Sequence, residues 1–492
     1  MQLTDHLDPA DWQQLIDFLS EFTAEEAREL ADSLKGEVWR PVPDDLKQAW
    51  QSEEPPRQGQ SLEAVVAEYR EQIRPYRNGN THPRFFGWVQ GTGTVPGLLG
   101  DIAVSLLNSN CGGRDHGAIY IERMMVDWCR RIFDFPEGSG GLMTSGTSAS
   151  TQLALQVAMF RKLGIEHKNK GFFNVCKPLR CYTSCEGHSS IIKAIQTCGI
   201  GSDNLVIIDT DDNHTILLSE LEARIKDDIE QGYMPFMVIA NAGTVNTGSF
   251  DDFNAIREIC DRYACWMHVD GAFGAWLKIA EEPHTSLTAG MEKTDSLAFD
   301  FHKLMYVQYD CGAVLMRDGA FQQQVFSIRP NYLSAHGQAL AGGDPWFCDY
   351  GMELSRSFRA LKVWFTLKTY GLDKLGQAVS ENCRLASRLA RGVEESDCFQ
   401  LAKQPVSNIV TFQMKSRIGD HVIDSEYNDQ LCEQIVARLQ LDGEAVFSLT
   451  RQGRYRVIRA SITNHRTRDA DIDFVLQRTH ELAHEMIRDK AR

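Results

Sequence analysis

A chain of 492 residues with 43% hydrophobic content is long enough for two or three domains around a large core. Its net charge of −16 argues against a binder of nucleic-acid phosphates, which requires clustered lysine and arginine. No apolar run approaches the length of a membrane span, and the opening Met-Gln-Leu-Thr-Asp-His lacks a basic segment followed by an apolar core, so a cytoplasmic protein is expected.

Residues 10–36 repeat Trp12, Leu15, Ile16, Leu19, Phe22 and Leu30 at helical spacing after an Asp8-Pro9 start signal, which predicts an amphipathic helix. A proline-punctuated link at 40–45 leads to a second predicted helix over 61–74. The stretch Thr81-His-Pro-Arg-Phe-Phe-Gly-Trp88 is too aromatic and too broken for a helix interior and reads as a loop lining a site. From about 96 to 316, short apolar runs (181–184, 205–209, 236–240, 266–270, 313–316) alternate with amphipathic stretches such as 188–198, 217–231 and 251–264. That alternation predicts βαβ units and a mostly parallel sheet covered on both faces, an α/β fold with functional groups at the strand ends. Beyond Gly371, a helix over 373–394, strands at 408–412 and 455–462 and a closing helix over 469–488 predict a smaller α+β domain. The expected division is therefore 1–95, 96–370 and 371–492. Thirteen cysteines without companion pairs at ligand spacing predict reduced, mostly buried thiols and no metal site.

Several residues fall where such a sheet concentrates chemistry. Lys303 follows His302 at the end of a β-like run and is flanked by Phe301, Leu304 and Met305, a setting that favours loss of the amine proton. Asp270 closes a strand before Gly271-Ala272-Phe273-Gly274. It reads either as a loop or capping carboxylate or as the partner of a pyridinium ring nitrogen. Thr147 and Ser148 end a glycine- and hydroxyl-rich turn that enters a helix, which suits either simple capping or a phosphate. His188, between strand and helix, suits a cap or a ring stacked on a planar ligand. Arg459, inside an apolar strand, needs a carboxylate from the protein or from a substrate.

The ordered set His82-Pro-Arg-Phe-Phe86, Thr144-Ser-Gly-Thr-Ser148, Gly187-His-Ser-Ser190, His268-Val-Asp270 with Ala272, His302-Lys303, Arg356 through Trp364, and Arg459 with Asn464 resembles the group II pyridoxal 5′-phosphate-dependent amino-acid decarboxylases, the family of glutamate and aromatic-L-amino-acid decarboxylases. The likeness runs from about 61 to 485. It implies fold type I, the aspartate aminotransferase-like architecture, and a homodimer with shared active sites, into which the 108–116 segment reaches. It also implies that Lys303 carries the cofactor as a Schiff base, His188 stacks on the ring, Asp270 binds its nitrogen and Ala272 packs on the other face. Thr147, Ser148, His302 and Asp300 would hold the phosphate, Thr244 would touch the cofactor, and Arg459 would take the substrate α-carboxylate. The implied reaction is decarboxylation of an L-amino acid to its amine.

Gly87 and Trp88 replace the Asn-Gln of glutamate decarboxylases and the Ala-Tyr of the aromatic enzymes. With Phe86, they lean toward an aromatic side chain, whereas the charged Arg114-Asp-His116 keeps an acidic substrate open. Family members with phenylalanine in place of the loop tyrosine yield aldehydes through oxidative deamination. Counting back from Leu354–Arg359 reaches Phe347, with Tyr350 and Tyr332 nearby, so oxidative deamination is the alternative outcome. A catalytically silent binding paralogue is the third reading.

Overall fold

The structure, a computed structural model, describes residues 7–172, 175–328 and 339–490. Two compact units divide the chain: Met1–Trp88 with Arg388–Ala402 and Thr411–Arg492, and Val89–Ser387 with Lys403–Val410.

The first unit opens with α1 (Trp12–Ser33), whose start is fixed by Asp11 accepting the Gln13 amide, followed by α2 (Asp44–Ser52) and α3 (Leu62–Glu68), capped by Ser61. The predicted 61–74 helix is regular only through Glu68. It widens into a π-turn over Tyr69–Ile73, and Arg70, Arg74 and Arg77 pair with Glu25, Glu26 and Glu29 of α1.

In the second unit, α4 (Val95–Leu107) and α5 (Gly117–Ile132) precede β1 (Gly140–Thr144) and the largely buried α6 (Thr147–Leu163). The chain continues through α7 (His167–Lys170), β2 (Leu179–Ser184), α8 (Ser189–Thr197), β3 (Leu205–Ile208), α9 (Leu218–Glu230), β4 (Met234–Asn241) and α10 (Phe253–Tyr263). It then forms β5 (Trp266–Asp270), β6 (Ser296–Asp300), β7 (Gly312–Met316) and α11 (Gly319–Phe326). The strands form one sheet in the order β1-β7-β6-β5-β4-β2-β3. Buried on both faces, β4, β5 and β6 read as continuous apolar runs instead of alternating ones. Only β7 runs against its neighbours β6 and β1. Its connection from β6, residues 301–311, contains no crossover helix and so returns the chain antiparallel.

α12 (Arg359–Glu395) is broken at Gly371, where φ is +69°, as the sequence boundary there anticipates. The strands β8 (Phe399–Lys403) and β9 (Ile409–Met414) follow, then the short hairpin β10 (Arg417–Ile418) and β11 (His421–Val422), and α13 (Ser425–Leu441). β12 (Ser448–Gln452), β13 (Tyr455–Ser461) and α14 (Asp469–Lys490) complete the chain, with a four-stranded sheet in the order β12-β13-β9-β8. The expected mostly parallel α/β sheet and smaller α+β portion are both present. β1 was not anticipated as a strand, because its glycine-rich Gly140-Gly-Leu-Met-Thr144 carries little β propensity.

Candidate active site

The sheet register brings three chain segments side by side. Thr144 at the end of β1 pairs with Gly312 at the start of β7, and Gly312 pairs with Asp300 at the end of β6. Glycine is required at this crossing: a Cβ on Gly312 would lie 2.6 Å from both Asp300 Oδ1 and the Gly146 Cα. The close approach lets the Thr147 amide donate to Asp300 Oδ1 at 2.7 Å. The other oxygen of Asp300 lies 3.2 Å from Lys303 Nζ and 3.5 Å from His302 Nε2. One buried carboxylate thus joins the turn that opens α6 to the turn that carries Lys303.

That second turn is rigidly seated. Trp276 donates its Nε1–H to the Asp300 carbonyl at 2.9 Å, and its ring packs on Phe299 and Phe301 at centroid distances of 5.4 and 5.1 Å. Each of these fully buried aromatics stabilises the fold by about 1.5–3 kcal/mol. His302 accepts the Cys311 amide at Nδ1, and its ring lies 4.3 Å from that of Tyr309, whose hydroxyl accepts the Gly91 amide. Burial depresses the His302 pKa, with Asp300 acting in the opposite direction.

Asp270, at the end of β5, accepts the Ala272 amide at 3.1 Å. Burial raises its pKa against the pull of Lys303 and His188. His188 caps α8, its Nδ1 accepting the Ser190 amide at 3.1 Å, so the capping reading holds. Burial lowers its pKa, while Asp270, Lys303 and Asp300 all act on it, so these four groups share one electrostatic environment. The adjacent end of β4 is fixed by Asp251, which accepts the Ile216 and Asn241 amides at 2.8 and 2.7 Å. Thr244 belongs to a hydroxyl chain with Thr247 and Ser249. Asp251, Tyr309 and the Gly146–Gly312 crossing escape sequence reasoning because each acts through a contact distant in sequence.

The residues expected to meet the substrate lie in the first unit. Arg459, on β13, is buried and donates to the Trp88 carbonyl and the Ser448 hydroxyl, each at 3.1 Å; burial lowers its pKa to about 10. Trp88 is 55% exposed, whereas Phe86 is only 1% exposed, its ring packed 5.3 Å from that of Phe447. Phe86 therefore serves the core in this unit. Asn464 and Thr467 donate to the carbonyls of His82 and Pro83, clamping the aromatic loop. Tyr332 lies outside the described residues.

A bound pyridoxal phosphate can be tested against the donors present. Thr147 Oγ1 is buried without a hydrogen-bond partner at the start of α6, as a phosphate oxygen would require. An amine, a ring-sized carboxylate partner and a capping imidazole accompany it, so the residues fit the cofactor.

The pyridoxal-dependent decarboxylase conserved domain matches residues 43–415, and the chain belongs to that family: it is a pyridoxal phosphate-dependent carboxy-lyase. Its relatives include an aromatic-L-amino-acid decarboxylase of Bacillus atrophaeus, 31% identical over 82% of each chain. A 4-hydroxyphenylacetaldehyde synthase of Rhodiola rosea is 26% identical over 88% of this chain and 87% of its own. The crystal structure of Oryza sativa TDC with PLP and tryptamine superposes with a TM-score of 0.91 at 22% identity, covering 97% of this chain and 99% of that one. This last likeness concerns the fold.

Proposed function

We propose that the enzyme decarboxylates an L-amino acid with an aromatic side chain, using Lys303 to hold pyridoxal 5′-phosphate. The carrying observation is the Asp300 bridge between Thr147 and Lys303. Bound there, the cofactor supplies an electron sink for the pair released when the Cα–carboxylate bond breaks.

The protein's part is positioning and charge. Thr147 and Ser148 hold the phosphate; Asp300, being an acceptor only, organises their turn and Lys303 without touching phosphate itself. His302 completes that support. Asp270 keeps the ring nitrogen protonated: a cation there restores the charge that burial disfavours. His188, oriented by its cap on α8, would stack on one face of the ring and Ala272 would pack on the other, with Thr244 adding a hydroxyl contact. Arg459 would take the substrate carboxylate and so favour breakage of the bond to that group. Gly87 and Trp88, together with the Bacillus relative, support the aromatic side chain. Arg114 supports it too, because its guanidinium lies 5.0 Å over the Trp346 ring, engaged within the protein.

Incubating holoenzyme with aromatic, acidic and basic L-amino acids under air tests the reading. Amine and carbon dioxide from an aromatic substrate are expected; turnover confined to acidic substrates overturns the specificity. The Rhodiola relative supports a second outcome, oxidative deamination, which would appear as aldehyde, ammonia and hydrogen peroxide. Phe347, the residue reached by counting, is 5% exposed beneath Arg356, a core position. Arg459→Ala is expected to raise KM at least about tenfold, the loss of one charge-assisted contact, with the cofactor's absorption band unchanged. Cofactor loss in that variant would show that Arg459 supports the fold and not the substrate.

A cytoplasmic homodimer is proposed as the working form. Its support is the exposed apolar row Val95, Leu98, Leu99, Ile102, Leu106 and Leu107 on α4, which runs into the 108–116 segment. Thirteen free thiols suit a reducing compartment. Among the described residues, no helix is long and apolar enough to cross a membrane. The double variant Leu99→Glu/Leu106→Glu is expected to halve the mass measured by light scattering and to abolish activity; an unchanged dimer would place the interface elsewhere.

A further inference from the structure

In the first unit, α14 presents His480 and His484 one turn apart. Both Nε2 atoms approach Asp397 Oδ1, at 2.7 and 3.2 Å, and the two rings meet edge to face with centroids 4.5 Å apart. Cys398 is the next residue, and one donor atom from each of the four lies within 4.8 Å of the others. Asp397 and Cys398 occupy the turn between α12 and β8, shaped by Ser396, whose hydroxyl accepts the amides of Cys398 and Phe399, both at 3.2 Å. Lys415 Nζ in turn donates to the Ser396 carbonyl at 2.6 Å. None of these groups has a part in the proposed catalysis.

We propose that His480, His484, Asp397 and Cys398 bind a divalent transition-metal ion of the zinc class, which clips α14 to the turn before β8. Two imidazoles, a carboxylate and a thiolate form a donor set that zinc accepts and that the oxygen-seeking magnesium and calcium do not. Zinc bonds of about 2.0–2.3 Å place tetrahedral ligands about 3.3–3.8 Å apart, within the spread of this cluster. The present Asp397–His480 contact is shorter and opens as the ion enters. The side chains of Asp397, His480 and His484 are 66%, 41% and 33% exposed, leaving the ion a path from solvent, while Cys398 is buried behind them.

Protonation states follow. Burial pushes the Cys398 thiol up to about 11, so zinc must displace its proton, as it does when it binds a thiol. Burial also opposes the charge on Asp397, but hydrogen bonds from His480 and His484 outweigh it and hold that carboxyl below its usual range. Without an ion, these three groups satisfy one another, and this is the rival arrangement. Since Asp397 and His480 are 83 residues apart in sequence, an ion joining them closes a long loop and favours the folded state only.

The test uses the pyridoxal phosphate-loaded enzyme, freed of metal by dialysis against a chelator and titrated with Co2+ and then Zn2+. One Co2+ per chain is expected, with tetrahedral d–d bands at longer wavelength than the cofactor's absorption. Zn2+ should abolish those bands and raise the unfolding temperature. His480→Ala/His484→Ala should lose both responses, weakening binding by at least about a hundredfold, the upper end for loss of an outer partner alone. Its circular dichroism and basal decarboxylation should stay at wild-type values, which separates this site from the catalytic one. Cys398→Ser should retain uptake but shift the d–d bands. Absence of stoichiometric uptake by the wild type, uptake that persists in the double-histidine variant, or unshifted bands in Cys398→Ser would overturn the four-ligand site.

Discussion

Lys303→Ala is expected to reduce turnover at least about a thousandfold, as deletion of a covalent catalytic group does, and to remove the borohydride-sensitive visible band of the cofactor complex. The argument rests on the amine's surroundings. Lys303 Nζ stands 3.2 Å from Asp300, the carboxylate that also receives the Thr147 amide, while the cluster of Trp276, Phe299 and Phe301 fixes the strand end from below. No other lysine is tied to the turn before α6 in this way among the described residues. A variant that keeps the band and its turnover would remove Lys303 from the chemistry. Cofactor added to the alanine variant should still bind through the phosphate turn, more weakly, and equilibrium dialysis measures that residue of affinity.

Glu122→Ala is expected to destabilise the enzyme by about 3–5 kcal/mol, a large share of the roughly 5–15 kcal/mol that holds a domain folded. Glu122 on α5 and Arg356 are both wholly buried and paired, with Arg356 NH1 3.0 Å from Glu122 Oε2. Arg356 also donates to the carbonyls of Cys111 and Met143 at 2.9 and 2.7 Å, and Glu122 Oε1 accepts the Met143 amide. Removing the carboxylate strands a guanidinium in the core beside β1. Denaturant titration should show a lower midpoint with an unchanged slope. The paired replacement Glu122→Leu/Arg356→Met should recover most of the loss, because no lone charge remains; failure to recover would mean that the carbonyl contacts of Arg356 dominate.

The repeating strands and helices of the second unit are legible in the sequence because burial on both faces turns β4, β5 and β6 into apolar runs. The placement of Lys303, Asp270 and His188 at or just beyond strand ends is legible because the apolar runs before them mark where those strands stop. The role of Asp300 as a bridge is not, since its partner Thr147 lies over a hundred residues away and only the β6–β7–β1 register unites them. Phe86 is misleading for a related reason: an aromatic loop advertises a lining, yet Phe85 and Phe86 both enter the core, and the chain turns at Trp88, where φ is +53°, leaving that side chain exposed. The His480-x-x-x-His484 pair has ligand spacing in plain view, but no cysteine stands near it in the sequence, and the proposed partners Asp397 and Cys398 lie far upstream.

The reversed strand β7 acts as a gauge block. With Gly312 wedged between Thr144 and Asp300, the distance from the turn that opens α6 to the turn that carries Lys303 is set by the thickness of one glycine and one carboxylate, and not by the length of any loop. A longer or shorter helical crossover elsewhere in the unit would leave that gauge unchanged. The short return through 301–311 is different: a residue gained or lost there that shifts β7 by one place along its neighbours turns its faces over and pulls the two proposed anchor points of a rigid, flat cofactor out of step.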